Sequence, residues 1–159
     1  MTKIEILLIG FVIAVLAVTA AVSVITARSR LRDAVRISDI RQMQTGLELY
    51  FLDNNQYPVS DYEMPLGVPA TACLNGDGFS ASCSNRDDVY LNVVPSTPAG
   101  GLKEQVACGG YQNVYCYFSS GENYQIEFEL ENSNPLLGLG KGVNCATPTE
   151  LVAGSCPTQ

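Results

Sequence analysis

Six cysteines are the side chains of this sequence with the most evident chemistry. They are Cys73, Cys83, Cys108, Cys116, Cys145 and Cys156. An even number of cysteines confined to one part of a chain is typical of disulfides formed in an oxidising compartment. Six cysteines can pair in many ways, and the sequence alone does not choose among them. The short spacings between successive cysteines fit three local loops and favour Cys73–Cys83, Cys108–Cys116 and Cys145–Cys156.

Metal binding and catalysis are competing uses of such residues. The chain has no histidine, and histidine is the commonest metal ligand and the commonest general base. It also has no CxxC pair and no recognisable nucleophile arrangement, and GLGKG at residues 138–142 lacks the ending of a phosphate loop. We therefore expect no metal, no cofactor and no enzymatic activity, with an anchored extracytoplasmic enzyme as a remote alternative.

Glu5 is the other side chain in an unusual position. It directly precedes residues 6–27, whose only polar side chains are Thr19, Ser23 and Thr26. A helix needs about 20 apolar residues to cross a bilayer, so this stretch is long enough. A carboxylate in lipid is costly unless it is paired. So close to the helix start, headgroups and water also reach Glu5, which would explain why it is tolerated.

A single long helix should position Glu5. Residues 28–53 contain no proline and one glycine, Gly46. Their apolar residues recur at steps of three and four, as on one helix face. These residues are Ile37, Ile40, Met43, Leu47, Tyr50 and Phe51. We expect a single helix of about 50 residues, about 80 Å long, that ends before Pro58. Its first half should be apolar on all sides and its second half amphipathic.

The N-terminal pattern resembles the type IV pilins and the type II secretion pseudopilins. It consists of a short N-terminus, Glu5, the apolar stretch, the amphipathic continuation and then LYFLDNNQYP. The resemblance covers residues 1–58 strongly and the remainder weakly. In that family the fifth residue is counted after a basic leader has been removed on the cytoplasmic side. The resemblance therefore implies that Met1 is the first mature residue, that its amine is methylated, and that this amine pairs with Glu5 of a neighbouring subunit.

Residues 1–27 also have simpler interpretations. They could be a cleavable signal, but such a signal has an apolar core of only about 7–15 residues. They could be an ordinary single-pass anchor, but this leaves Glu5 unexplained. They could also be a buried helix of a soluble protein, but such a helix is rarely so long. Arg28, Arg30 and Arg32 follow the stretch while only Lys3 precedes it, which would place the C-terminal part in the cytoplasm. The cysteines indicate the opposite side, and a removed basic leader would reconcile the two.

The apolar stretch differs from many pilins in one respect. Those pilins carry a helix-breaking proline in the stretch and a glycine before it, and the helix between them melts in the filament. This chain has Val22 and Ala14 at the corresponding places. We therefore expect a helix that is continuous or only bent from about residue 2 to about residue 53. The hydroxyls of Thr19, Ser23 and Thr26 should bond to preceding carbonyls.

Residues 54–159 should form an acidic extracellular head. The formal net charge is -7, and this part holds three Lys/Arg against eleven Asp/Glu, so it should repel nucleic acid and anionic lipid. Residues 59–88 are predicted to be loop-like, and residues 114–118 and 124–130 predict a hairpin. On the second strand, the face expected to cover the helix has Tyr124, Ile126, Phe128 and Leu130. The face expected to meet water has Gln125, Glu127, Glu129 and Glu131.

Two stretches of the head invite a calcium interpretation. CLNGDGFSASCS lacks the first and last ligands of an EF-hand loop, so a turn closed by Cys73 and Cys83 is favoured. In the pseudopilins, a motif similar to residues 94–98 contains an Asp and leads into calcium ligands. Thr97 stands in its place here, which argues against a bound calcium.

The predicted fold is α+β and pilin-like, with a long N-terminal helix on a small antiparallel sheet and a disulfide-closed C-terminal region. Residues 1–53 form the spine, with 1–27 in the membrane or filament core, and residues 54–159 form the head. The predicted function is structural: the major subunit of an extracellular type IV pilus. Identical subunits would start in the cytoplasmic membrane and be assembled by separate, ATP-driven machinery. The alternatives are a pseudopilin of a secretion or competence system and a membrane-anchored extracytoplasmic binding module.

Overall fold

One long helix carries the whole arrangement. The computed structural model of the chain describes residues 3–84 and 86–157, apart from the side chain of Ile6. Helix α1 spans Lys3–Asn54, 52 residues without a break, and is therefore about 78 Å long. The predicted start at about residue 2 lies outside the described residues. The predicted end is confirmed to within one residue.

The end of α1 follows from its last residues. Asn55 adopts a left-handed conformation (φ 53°), which asparagine tolerates better than most residues. Its N–H donates to the carbonyl of Phe51 at 2.8 Å and so closes the last turn. Pro58 follows, and Tyr57 donates its N–H to the carbonyl of Gly121 instead of continuing the helix.

Ten strands follow in the described part of the chain. Their bounds are β1 (Ser60–Leu66), β2 (Cys73–Asn75), β3 (Gly78–Ser80), β4 (Val89–Leu91), β5 (Ala107–Cys108), β6 (Tyr111–Gln112), β7 (Tyr115–Ser119), β8 (Tyr124–Leu130), β9 (Gly142–Ala146) and β10 (Leu151–Ala153). The main antiparallel sheet has the order β1-β7-β8-β9-β10, the second has β3-β2-β4, and β5 pairs with β6. The helix, the antiparallel sheets and the disulfides are compatible with a pilin-like fold.

The loop prediction for residues 59–88 is wrong in part. This segment contains β1, the short 3₁₀ turn Pro69–Thr71, and the β2–β3 hairpin. Within the part of the chain that the structure describes, strand β1 pairs with β7 alone, and its register is irregular between Ser60 and Met64. An edge strand tolerates Pro65, whose missing N–H would break a ladder elsewhere. The Pro and Gly content that indicates loops is therefore accommodated at a sheet edge.

The core lies between the C-terminal half of α1 and the main sheet. The predicted helix face is confirmed, with Ile40, Met43, Leu47 and Tyr50 buried and Ile37 and Phe51 half-buried against them. The predicted inner face of β8 is buried as well, through Tyr124, Ile126, Phe128 and Leu130. Burying each such side chain contributes about 1.5–3 kcal/mol, so this contact holds the helix on the head.

Gly46 permits a close approach of α1 to β4. A Cβ at this position would lie 2.7 Å from Cδ1 and 2.8 Å from Cδ2 of Leu91. Leu91 is buried and has little room to move. The single glycine in the second half of the helix is therefore a packing requirement.

The prediction that the second face of β8 meets water is wrong. Glu129 is buried, and its carboxylate accepts the backbone N–H of Lys103 at 2.9 Å and of Gln105 at 2.8 Å. A carboxylate is a strong acceptor for backbone N–H groups. The segment before β5 therefore covers this end of the face.

The C-terminal segment covers the other end of the same face. Glu127 is half-buried and accepts the N–H of Cys156 at 2.7 Å. The buried amide of Gln125 donates to the carbonyl of Pro157 at 3.1 Å. These side chains supply the hydrogen bonds that an irregular, Gly-rich tail lacks within itself.

Candidate functional site

The first half of α1 is an uncovered apolar surface. Every described side chain from 3 to 28 is exposed. Among the described residues, α1 is the one helix long and apolar enough to cross a membrane, and none of its most apolar part is buried. Soluble monomers rarely expose apolar patches of more than a few hundred Å². By length and composition this helix meets the requirement for a membrane anchor, and the surface requires cover by lipid or by protein.

The hydroxyls in this stretch bond as the sequence predicts. Thr19 donates to the carbonyl of Leu16 at 3.0 Å, Ser23 to that of Thr19 at 2.8 Å, and Thr26 to that of Val22 at 3.0 Å. The three polar side chains are thus satisfied within the helix. These three hydroxyls therefore need no hydrogen-bond partner from the surroundings of the stretch.

Glu5 lies exposed in the first turn of α1, where the helix dipole stabilises a negative charge. The first residue of the helix that bonds to the head is Ser29, about 36 Å further along the axis. Met1 lies outside the described residues. Its processing, its methylation and its pairing with Glu5 of a neighbour therefore stay predictions.

The cysteines all lie in the head, far from Glu5. They form the disulfides Cys73–Cys83, Cys108–Cys116 and Cys145–Cys156, the pairs that the spacing favours. The first closes the β2–β3 hairpin, the second joins β5 to β7, and the third holds the C-terminal segment to β9. Two of them flank Glu127, which pairs with Cys116 on one side and Cys145 on the other.

Two groups of possible metal ligands are occupied otherwise. The carboxylate of Glu63 lies within 4.8 Å of the sulfurs of Cys108 and Cys116, but these sulfurs are joined and are not thiolates. Asp77, in the stretch that invites an EF-hand interpretation, pairs with Arg86 at 2.6 Å, and Arg86 also pairs with Asp88 at 3.1 Å. Thr97 donates its hydroxyl to the carbonyl of Asn113.

A buried charged cluster joins the helix to the head at the point where its exposed stretch ends. We call it the Arg36 cluster; its members are Arg32, Asp33, Arg36, Glu131 and Asn132. Arg36 is fully buried, and its Nη1 lies 2.9 Å from Oδ1 of Asp33 and 2.9 Å from Oε1 of Glu131. Arg32 makes two parallel bonds to Glu131, each of 2.6 Å. Such bidentate geometry fixes orientation as well as distance.

Asp33 completes the Arg36 cluster from the helix side. Its carboxylate accepts the backbone N–H of Glu131 at 2.8 Å and that of Asn132 at 2.9 Å. The side-chain amide of Asn132 donates to Asp33 and to Ser29. Two arginines and two carboxylates balance in charge, and Arg36 also donates to the carbonyls of Pro98 and Gly100. A buried charge requires such pairing.

Electrostatics at this junction favour the ionised carboxylate of Glu131. The hydrogen bond from Arg32 is the largest influence, and together with Arg36 it holds the pKa of Glu131 below its usual value, against the opposing effect of burial. One turn further along, Asp39 accepts the hydroxyl of Tyr115 at 2.7 Å. Burial raises the pKa of Asp39, and Tyr115 and Arg36 offset this in part.

The sequence analysis missed the Arg36 cluster, although a signal was present. Asp33 and Arg36 continue the three- and four-residue steps of Ile40 and Met43, so they fall on the face that must be buried. Charged residues on a core face require buried partners. The alternation along β8 predicts that Glu131 faces solvent, so the sequence does not indicate it as the partner of Arg36.

Comparisons of the chain with protein-family models, with curated proteins and with solved structures give no match. The family indicated by residues 1–58 therefore rests on their sequence features and on the α+β arrangement described above.

Proposed function

We propose that the chain is the major structural subunit of an extracellular helical filament of the type IV pilus class. The observation that carries this proposal is a single unbroken helix with two different surroundings. Its first half is exposed and apolar all round, while one face of its second half is buried against a disulfide-closed head. A filament with a core of packed helices and a coat of heads uses both halves.

The exposed half accounts for two successive locations of the subunit. Lipid covers it while the subunit waits in the cytoplasmic membrane, and neighbouring helices cover it in the filament. Because both surroundings are apolar, the transfer carries little cost in hydrophobic free energy. Outside machinery has to drive the step, since no nucleotide-binding motif is present in the sequence.

The Arg36 cluster supports the proposal through rigidity. A helical filament repeats one geometry, so every head must keep the same orientation relative to its helix. The bidentate contact of Arg32 with Glu131 and the contacts of Arg36 hold that orientation at the last turns before the exposed stretch. A membrane-anchored binding module has no such requirement, because a flexible tether serves it as well.

Glu5 supplies the register in this proposal. The α-amino group of Met1 in one subunit would approach Glu5 of the next when the helices are staggered by one subunit. In an apolar core such an ion pair is strongly held, and either charge alone is penalised. The pair then selects one axial stagger over others.

Expression of the gene with its own start, in cells with a pilus assembly apparatus, tests the proposal. Sheared surface material is examined by negative-stain microscopy, and mass spectrometry reads the N-terminal residue. Long filaments made of this chain, with a methylated Met1, are the expected result. Cells that lack the assembly ATPase are the control. Filaments that form only when secretion genes are overexpressed would identify a pseudopilin, and a monomer that never leaves the membrane would identify an anchored binding module.

A further inference from the structure

The most exposed leucine of the head lies on a well-formed turn. Leu136 is 97% exposed and stands in the 3₁₀ turn Pro135–Leu137. The ends of this turn are tied together, because Asn134 and Leu139 exchange backbone hydrogen bonds of 2.9 and 3.0 Å. Gly138 closes it with a left-handed φ of 70°. The leucine is therefore held outward by the backbone.

This turn lies beside α1 just after the exposed apolar stretch. Asn132, two residues before the turn, bonds to Ser29, the first residue of α1 that contacts the head. Arg30, Ala34 and Leu136 line one groove of about 550 Å³. Leu136 thus lies at the end of the head that is nearest to residues 6–27.

The charges at this end are opposite in sign to the rest of the head. Arg30 and Lys141 line the groove. Lys141 is one of only three Lys/Arg after residue 54, against eleven Asp/Glu. The groove's carboxylate, Asp33, is already engaged with Arg36 and with two backbone N–H groups. An otherwise acidic head therefore has a basic end, which we call the basal face (Arg30, Lys141, Leu136 and Leu137).

The depth of the basal face can be read along the helix. If residue 27 lies at the edge of the hydrocarbon core, Arg30 lies about 4.5 Å beyond it. The headgroup layer on each side of a bilayer is about 5–8 Å thick. Arg30, at the edge of the basal face nearest the apolar stretch, then falls within this layer while α1 spans the membrane.

We propose that the basal face docks the head on the headgroups of an anionic bilayer before assembly. The basic side chains meet lipid phosphates, and Leu136 and Leu137 enter the boundary between headgroups and acyl chains. This inference rests on the membrane stage of the proposed function. It adds a second, reversible attachment beside the helix, which sets the height and tilt of the waiting subunit and which assembly must release.

The chain lacks tryptophan, so one introduced tryptophan reports its own surroundings. The test uses the full chain in vesicles of phosphatidylcholine, alone or with an equal part of phosphatidylglycerol, with brominated lipid as the quencher. Leu136→Trp reports the basal face. Val93→Trp is the matched exposed control. Val93 lies two residues after Leu91, which packs against Gly46 of α1, and Gly46 is about 24 Å beyond Arg30 along the helix axis. Phe11→Trp, in the exposed stretch, reports whether the helix is inserted.

The expected result is quenching and a blue shift of the Leu136→Trp emission in the anionic vesicles, and neither change for Val93→Trp. Adding Arg30→Ala and Lys141→Ala to Leu136→Trp, or raising the salt concentration, should reduce the quenching. Quenching of Phe11→Trp without quenching of Leu136→Trp would overturn the docking inference and leave the proposed function intact. An unquenched Phe11→Trp would overturn both, because the helix would not be in the bilayer. Equal quenching of Leu136→Trp in neutral and anionic vesicles would refute the role of charge.

Discussion

Nη1 of Arg36 lies 2.9 Å from Oε1 of Glu131, and this contact joins the middle of a 52-residue helix to the end of strand β8. Both side chains are nearly inaccessible, at 0% and 8% exposure. Nearer the N-terminus of the helix, every described side chain from residue 3 to residue 28 is exposed. The pair therefore marks where a helix built for lipid or for other helices becomes part of a globular core.

Replacing Glu131 should weaken this junction strongly. In Glu131→Gln, Arg36 keeps Asp33 but loses its second carboxylate. Arg32 loses the bidentate contact, because an amide offers only one, uncharged acceptor oxygen. Breaking a buried pair from one side typically costs about 3–5 kcal/mol, so we expect a loss near the lower end of about 3 kcal/mol. Urea unfolding of the full chain in detergent measures it. Glu122→Gln, on the exposed turn of the same hairpin, is the matched control and should change stability little.

The same variant should alter the acid limb of the stability profile. The pKa of Glu131 in the folded chain is below its ordinary value of 4.5. Its stabilising contribution is therefore complete above that value and is lost as the pH falls towards the lowered folded pKa. Glu131→Gln cannot titrate and should lose less stability on acidification than the parent chain. Parallel acid limbs for the two proteins would contradict this assignment.

Gly46→Ala should destabilise the head despite the better helix propensity of alanine. The propensity gain is about 1 kcal/mol, but the added methyl would press on Cδ1 and Cδ2 of buried Leu91, and overpacking costs about 1–3 kcal/mol. In a Leu91→Ala background the clash is gone, so Gly46→Ala should become stabilising. Gly10→Ala meets nothing within 4 Å and should leave unfolding of the head unchanged. A loss of the same size in both Leu91 backgrounds would argue against the clash.

Removing the Cys145–Cys156 bond with two serines should free the C-terminal segment. The chain-entropy account gives a loss of about 2–3 kcal/mol for a loop of this length. The hydrogen bonds from Cys156 to Glu127 and from Gln125 to Pro157 should loosen with it. Exchange of the backbone N–H groups should then accelerate in residues 154–156 and in β8, whose outer face this segment covers. The double serine variant of Cys73 and Cys83 serves as control, since it should not affect that face. Non-reducing peptide mapping with a crossed pair would refute the pairing itself.

Glu5→Ala or Glu5→Lys should leave a stable subunit that forms few or no homopolymeric filaments. Among the described residues, Ser29 is the first of α1 to bond to the head, and the described side chains before it are exposed, so the head should fold normally in Glu5 variants. Thermal unfolding in detergent checks the fold, and sheared filament yield checks assembly. Glu122→Ala removes a charge from the head and should form filaments at the parental level. A normal yield from either Glu5 variant would rule out the register role.

In a filament, α1 should remain helical through the apolar stretch. The single chain has unbroken helix over Lys3–Asn54, and without a proline at Val22 the local cost of melting is high. Each unpaired backbone group in an apolar core costs several kcal/mol. A filament map measures this directly. Extended backbone anywhere between Ala14 and Val24 would mean that packing in the lattice overrides the preference of the chain.

Periodicity and composition predicted the helix and its core face well. The run of residues 6–27 and the steps through Ile40, Met43 and Leu47 are local patterns, and a helix satisfies its backbone bonds locally. The inner face of β8 and the disulfide pairs were predicted equally well, because the alternation of a strand and the short loops between cysteines are also local patterns. These features determined a long helix on an antiparallel sheet, with the disulfides in the head.

Only the tertiary structure decided which polar groups are buried. Glu127, Glu129 and Glu131 alternate as a solvent face should, but distant segments cover them and donate backbone N–H groups to the first two. The same holds for Arg36, whose partners Glu131, Pro98 and Gly100 are remote in sequence. The electrostatic cost of burying such a group depends on partners that folding brings together, and no local pattern encodes them. The apolar stretch is the opposite case. Its sequence alone determined that its surface must be buried, and because the fold leaves the described side chains of this stretch exposed, lipid or another protein must bury them.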